Sequence, residues 1–181
     1  HLVGHADCVF DPLHPHIAMR IKQYLGAGVA SDGGHFADDL HCPRIQTSPD
    51  CPELSRIVAG MWRMTEWGMT VDQRIAFIEQ CLALGVTTFD HADIYGSYGV
   101  EGLFGEALSR KPSLRDQMQL VSKCGIKLVT PQRPAHTIQH YDTSASHITE
   151  SVEESLRQLR TDRLDLLLIH RPDPLMDFDE I

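Results

Sequence analysis

The chain has 181 residues, of which 42% are hydrophobic, and a formal net charge of -9. That length supports one domain with a substantial core and is short for two. The negative charge argues against a nucleic-acid partner, which needs a basic face, and no run approaches the ~18 consecutive apolar residues of a membrane span.

The first residues, His1 to Asp7, lack the basic start and apolar run of a secretory signal, and His stands where a Met would start. An excerpt of a longer protein is therefore expected. Cys8, Cys42, Cys51, Cys81 and Cys124 are odd in number and form no C-x-x-C pair. Free thiols in a reducing compartment follow, with a cytoplasmic address. Residues 1–43 hold six of the eleven histidines together with Pro12, Pro15 and Pro43. Ile17, Ile21 and Leu25 suggest one short helix, broken by Gly26 and Gly28. Without a C-x₂-C pair to complete a zinc set, this segment reads as an irregular extension or a remnant of another domain, and no metal is expected.

From Arg44 the pattern becomes regular. Ile45 and Thr47 face Leu54 across a Ser48-Pro49-Asp50 turn, predicting a short hairpin. Arg56 to Trp62 reads as the first core strand. Thr70 and Gln73 form a capping box ahead of Val71, Ile75, Ile78 and Leu82, one face of a helix that Gly85 ends. Val86 to Asp90 is β-branched and aromatic, a second strand. Glu101 to Ser109 predicts a helix with Leu103, Phe104, Ala107 and Leu108 inward, and its glycines allow close packing on a sheet. Gln119 to Ser122 is a third strand. Ser146 to Leu159 is a helix striped by Ile148, Val152, Leu156 and Leu159, and Leu164 to Ile169 is a fourth strand.

Strands apolar on both faces that alternate with helices indicate an α/β fold with a covered parallel sheet. A Rossmann-type sheet and half of a (β/α)₈ barrel both fit that alternation. Gly96, Gly99, Gly102 and Gly105 recur at spacing three and make no G-x-G-x-x-G fingerprint.

Polar residues follow the strands. Asp90 ends the second, with Tyr95 five residues on; Lys123 ends the third, and His170 the fourth. In barrel enzymes these strand ends face the active site. A phenol titrates near about 10, too high for efficient proton transfer at neutral pH. A neighbouring cation such as Lys123, itself held by Asp90, should lower that value. His170 could hydrogen-bond a carbonyl oxygen.

The segments Asp90-His-Ala-Asp-Ile-Tyr95, Ser122-Lys123 and Leu164 to Pro172 resemble the signature segments of the aldo-keto reductases. The run His170 to Met176 resembles a bacterial oxidoreductase subgroup within them. The resemblance covers Arg44 to Ile181 and implies a partial (β/α)₈ TIM barrel of about four βα units. It also implies an NADP(H) cofactor, reduction of a small-molecule aldehyde or ketone to an alcohol, and a catalytic tetrad of Asp90, Tyr95, Lys123 and His170 with Tyr95 as general acid. Trp62 and Arg63, after the first strand, become candidate substrate contacts, with packing as the alternative for Trp62 and Trp67. Asp93 takes a structural role in the loop. Cofactor-phosphate residues lie mostly in later strands of the family's barrel, so the chain is expected to be a fragment whose activity depends on them. Two other readings share the fold: a non-catalytic regulatory subunit, and a barrel enzyme acting on phosphorylated sugars.

Overall fold

The computed structural model describes residues 41–171, 173–177, 179 and 181. The short helix and the histidine-rich segment expected before His41 lie outside the described residues, as does Pro172. Cys42 is buried, and its amide donates to the Leu84 carbonyl at 2.9 Å.

The hairpin forms at the predicted place, with β1 (Arg44–Ile45) antiparallel to β2 (Leu54–Ser55). Four parallel strands then make the sheet: β3 (Val58–Gly60), β4 (Thr88–Asp90), β5 (Gln119–Cys124) and β8 (Leu166–Ile169), in that spatial order. Helix α1 (Val71–Ala83) connects β3 to β4, α2 (Val100–Arg110) connects β4 to β5, and α3 (Ala145–Leu159) connects β5 to β8. This is the β-α alternation of a barrel, with four parallel strands formed among the described residues. Between β5 and α3 an unpredicted second hairpin pairs β6 (Ile126–Lys127) with β7 (His140–Tyr141). No helix among the described residues is long and apolar enough to cross a membrane.

The start of α1 forms as its sequence dictates: the Thr70 hydroxyl accepts from the Gln73 amide, and the Gln73 side chain accepts from the Thr70 amide. Two helix faces differ from expectation. In α1 the deepest residues are Arg74, Phe77, Ile78 and Cys81, while Val71, Ile75 and Leu82 are half-buried. Arg74 rotates the face because its guanidinium pairs with Glu106 on α2 and donates to the Met69 carbonyl. In α3 the deepest residues are Ser151, Ser155 and Leu159, and the apolar stripe at Ile148, Val152 and Leu156 is half-buried. A polar seam one helical turn long thus faces the interior.

The glycines of α2 serve a helix contact rather than the expected sheet contact. A Cβ at Gly105 would collide with the backbone of Gln158 and Leu159 on α3, so the two helices approach backbone to backbone. Phe89 of β4 and Phe104 of α2 fill the layer between sheet and helix, their ring centroids 5.4 Å apart.

One buried arginine sets the level of the last strand. Arg115, in the 3-10 helix Pro112–Gln117, donates to the Met118 and Arg163 carbonyls, the Thr161 hydroxyl and the Asp165 carboxylate. Asp165 also accepts from the Leu120 amide at 2.8 Å. These bonds fix β8 beside β5, with Cys124 opposite Ile169.

Candidate active site

Register brings the strand-end residues together. Asp90 pairs with Gly60 on one side and Val121 on the other, and Lys123 lies two residues further along β5. The chain leaving β4 continues the ladder: His91 N–H donates to the Val121 carbonyl at 2.8 Å and Asp93 N–H to the Lys123 carbonyl at 3.0 Å. A turn closed by Tyr95 N–H on the Ala92 carbonyl then brings the phenol back over the sheet end. Beyond β8, the His170 amide donates to the Cys124 carbonyl at 2.8 Å.

Lys123 is the hub. Its ammonium lies 2.7 Å from each Asp90 carboxylate oxygen and donates to the Tyr95 hydroxyl at 2.9 Å. The third partner is the His91 carbonyl, at 2.8 Å. The Tyr95 hydroxyl donates to Asp90 Oδ2 at 3.3 Å, and its ring meets that of His170 edge-on with centroids 5.8 Å apart. All four expected residues therefore share one site.

The electrostatics differ from expectation in one respect. Tyr95 is pushed well above the ordinary phenol range, by burial first and then by the charge and hydrogen bond of Asp90. The expected lowering by Lys123 does not prevail, because Asp90 pairs the ammonium and also faces the phenol. The resting site therefore holds a protonated tyrosine. His170 is pushed down to about 4 by burial, Lys123 and Arg171, so its ring is neutral at neutral pH. Its Nδ1 is buried without a hydrogen-bond partner among the described residues.

Trp62 and Arg63 follow β3 at the same end of the sheet. Trp62 is 58% exposed, and the Arg63 guanidinium lies 5.3 Å from its ring centroid. Trp67 is a packing residue: its ring lies edge-on to Phe77, with centroids 5.4 Å apart. Among the described residues no group of three or more His, Cys, Asp or Glu side chains is placed to hold a metal ion.

A polar layer that the sequence reading did not foresee lies behind the site. Glu101, in the first turn of α2, is buried and accepts from the Ser122 hydroxyl at 2.6 Å. Ser155 of α3 is a second hydrogen-bond partner, and burial raises the Glu101 carboxyl. Asp93 is likewise buried and bonded to Ser151, one turn from Ser155. The signal available was the spacing Ser151, Ser155, Leu159, which competes with the more apolar stripe beside it.

Comparison with known proteins gives a consistent result. The chain is 56% identical over 134 residues to the uncharacterized oxidoreductase YcsN of Bacillus subtilis, covering 74% of this chain and 44% of that protein. It is 56% identical over 138 residues to the oxidoreductase YdhF of Escherichia coli, covering 76% and 46%. A 6-dehydroglucose reductase of Agrobacterium fabrum is 52% identical over 129 residues, covering 71% and 43%. The chain thus spans less than half the length of these relatives. Among solved structures, the holo form of an aldo-keto reductase from Bacillus halodurans superposes with a TM-score of 0.62 at 26% identity, covering 77% of this chain and 44% of that one. The sequence profile of the Aldo/keto reductase family matches residues 56–181, and the chain belongs to that family.

Proposed function

We propose that the protein is an NADP(H)-dependent oxidoreductase that reduces an aldehyde or ketone to an alcohol, with Tyr95 as proton donor. The observation that carries this reading is the contact set of Lys123, whose ammonium holds Asp90 and the Tyr95 hydroxyl at hydrogen-bond distance. A reduced nicotinamide, when bound, supplies the hydride that the carbonyl carbon accepts. This chain provides the reacting end of the site. Tyr95 and His170 lie on the sheet's C-terminal edge, and the buried Nδ1 of His170 has no hydrogen-bond partner among the described residues.

As the carbonyl oxygen gains negative charge, Tyr95 donates its proton to it, forming the O–H bond of the alcohol and leaving a phenolate. Lys123, 2.9 Å away, stabilises that phenolate. Asp90 holds the ammonium in place, and water later returns the proton to Tyr95. Neutral His170 orients the carbonyl, while exposed Trp62 and Arg63 line the approach for the remainder of the substrate. The 6-dehydroglucose reductase relative makes sugar aldehydes the first substrates to assay.

The test is titration of the purified protein with NADPH, followed by quenching of Trp62 and Trp67 fluorescence, together with aldehyde-dependent oxidation of NADPH. Saturable quenching with turnover is the expected result. Neither binding nor turnover in the complete protein carrying this chain would overturn the reading.

A further inference from the structure

Between Asp90 and Tyr95 the chain must leave the sheet, turn and return the phenol to Lys123. Asp93 lies at the middle of that path. Its amide is the last to join β5, donating to the Lys123 carbonyl at 3.0 Å. Its side chain is bonded within the loop and to α3. One oxygen accepts from the Ile94 amide at 2.7 Å, and the carboxyl also bonds Ser151 on α3. The residue is 7% exposed.

Ionisation of this group, raised by burial to about 7, is what a merely structural role leaves unexplained. Among the described residues no ion pair reaches Asp93, and the nearest influences are mixed. Glu101 from α2 opposes its ionisation, while Arg133 from the segment before β7 favours it. On β5, Lys123 lies across the backbone bond, and the Cys124 thiol is raised by burial first and then by Asp93; Tyr98, after the turn, is likewise raised by burial first and also by Asp93. On α3, Ser151 also contacts the His147 ring. A buried carboxyl without a countercharge is costly, and an uncharged residue could close the same turn at lower cost. What ionisation adds is acceptance of two hydrogen bonds at once, from Ile94 and from Ser151, without a proton of its own to place.

We infer that Asp93 is a positioning residue of this site: its buried carboxylate, held between the Ile94 amide and Ser151 of α3, fixes the turn that sets the Tyr95 hydroxyl against Lys123. The inference rests on the proposed role of Tyr95. Burial and Glu101 push the Asp93 carboxyl up to about 7, against the Ile94 amide, Ser151 and Arg133. The hold on the loop therefore tightens as pH rises through neutrality, a range well above the His170 ionisation at about 4.

Asp93→Asn in the complete protein keeps the size of the side chain and an acceptor for Ile94, and removes the charge. Displacing a reacting group by a fraction of an ångström to an ångström costs up to about 100-fold. A fall in kcat of about 10- to 100-fold is expected, with KM for NADPH and carbonyl within about twofold. The parent's kcat should rise as pH increases through about 7, and the variant's should be flat there. Ser151→Ala is the second variant. It removes a bond that lowers the Asp93 value, so the limb should move to higher pH while the fold persists. An unchanged kcat and an unchanged pH limb in either folded variant would overturn the inference. Tyr95→Phe separates the two readings: if it retains full turnover, the proposed function fails. If it loses turnover while Asp93→Asn and Ser151→Ala match the parent, only the positioning role fails.

Discussion

Replacing Lys123 by Met probes the hub of the site with little change in shape. The substitution removes three hydrogen bonds, to Asp90, the His91 carbonyl and the Tyr95 hydroxyl. Its kinetic effect follows from the charge that would form on Tyr95 in the proposed proton donation. At the observed 2.9 Å, attraction between an ammonium and a phenolate is about 6 kcal/mol at an effective dielectric of 20 and about 1.4 kcal/mol in bulk water. The surviving Asp90 carboxylate lies 3.3 Å from the phenol oxygen and opposes the phenolate, which excludes the weak end of that range. A loss of about 10²- to 10⁴-fold in kcat is expected. Single-turnover oxidation of NADPH with an aldehyde reads that step directly. Thermal unfolding checks that the unpaired Asp90 has not unfolded the protein. Lys123 is also one of the causes that depress His170, so the imidazole should titrate above about 4 in the variant, as followed by proton NMR. A folded variant with kcat within about threefold of the parent and an unmoved His170 would refute the reasoning.

Other perturbations give separate tests. Asp90→Asn removes the charge that helps to raise Tyr95, so the alkaline limb of the kcat profile should move to lower pH; a limb that stays or rises contradicts this. His91 is fully buried, has both ring nitrogens unpartnered among the described residues, and is depressed to about 3 by burial and Lys123. The unfolded chain binds that proton near about 6.5, so stability is lost as pH falls through this window. His91→Leu should lose less stability than the parent between about pH 6.5 and 4, as measured by urea unfolding; parallel curves would contradict it.

Most of the fold was legible because its punctuation is chemical. The Thr70 and Gln73 cap, the β-branched run ending at Asp90 and the apolar run before His170 each specify one element, and each forms within about two residues of its expected bounds. Register then carries the strand-end residues into one place, which is why order along the sequence sufficed to group Asp90, Tyr95, Lys123 and His170. The faces of α1 and α3 were less legible because burial there is decided by tertiary partners. Arg74 is buried against Glu106 and Met69, and the serines of α3 are buried because two carboxyls meet them. No periodicity of apolar residues encodes such pairs. The sign of the Tyr95 shift was also hidden. A nearby lysine predicts lowering, but the geometry places Asp90 against both partners and the burial of the ring outweighs the cation.

The central claim, that Tyr95 gives the proton in an NADPH-dependent carbonyl reduction, is tested most directly by turnover of Tyr95→Phe in the complete protein. Only the hydroxyl is removed, so the Lys123–Asp90 pair and NADPH binding should remain. The account predicts a fall in kcat of about 10²- to 10⁴-fold, the usual range for a general acid. Turnover equal to the parent's, with NADPH still bound, would contradict it.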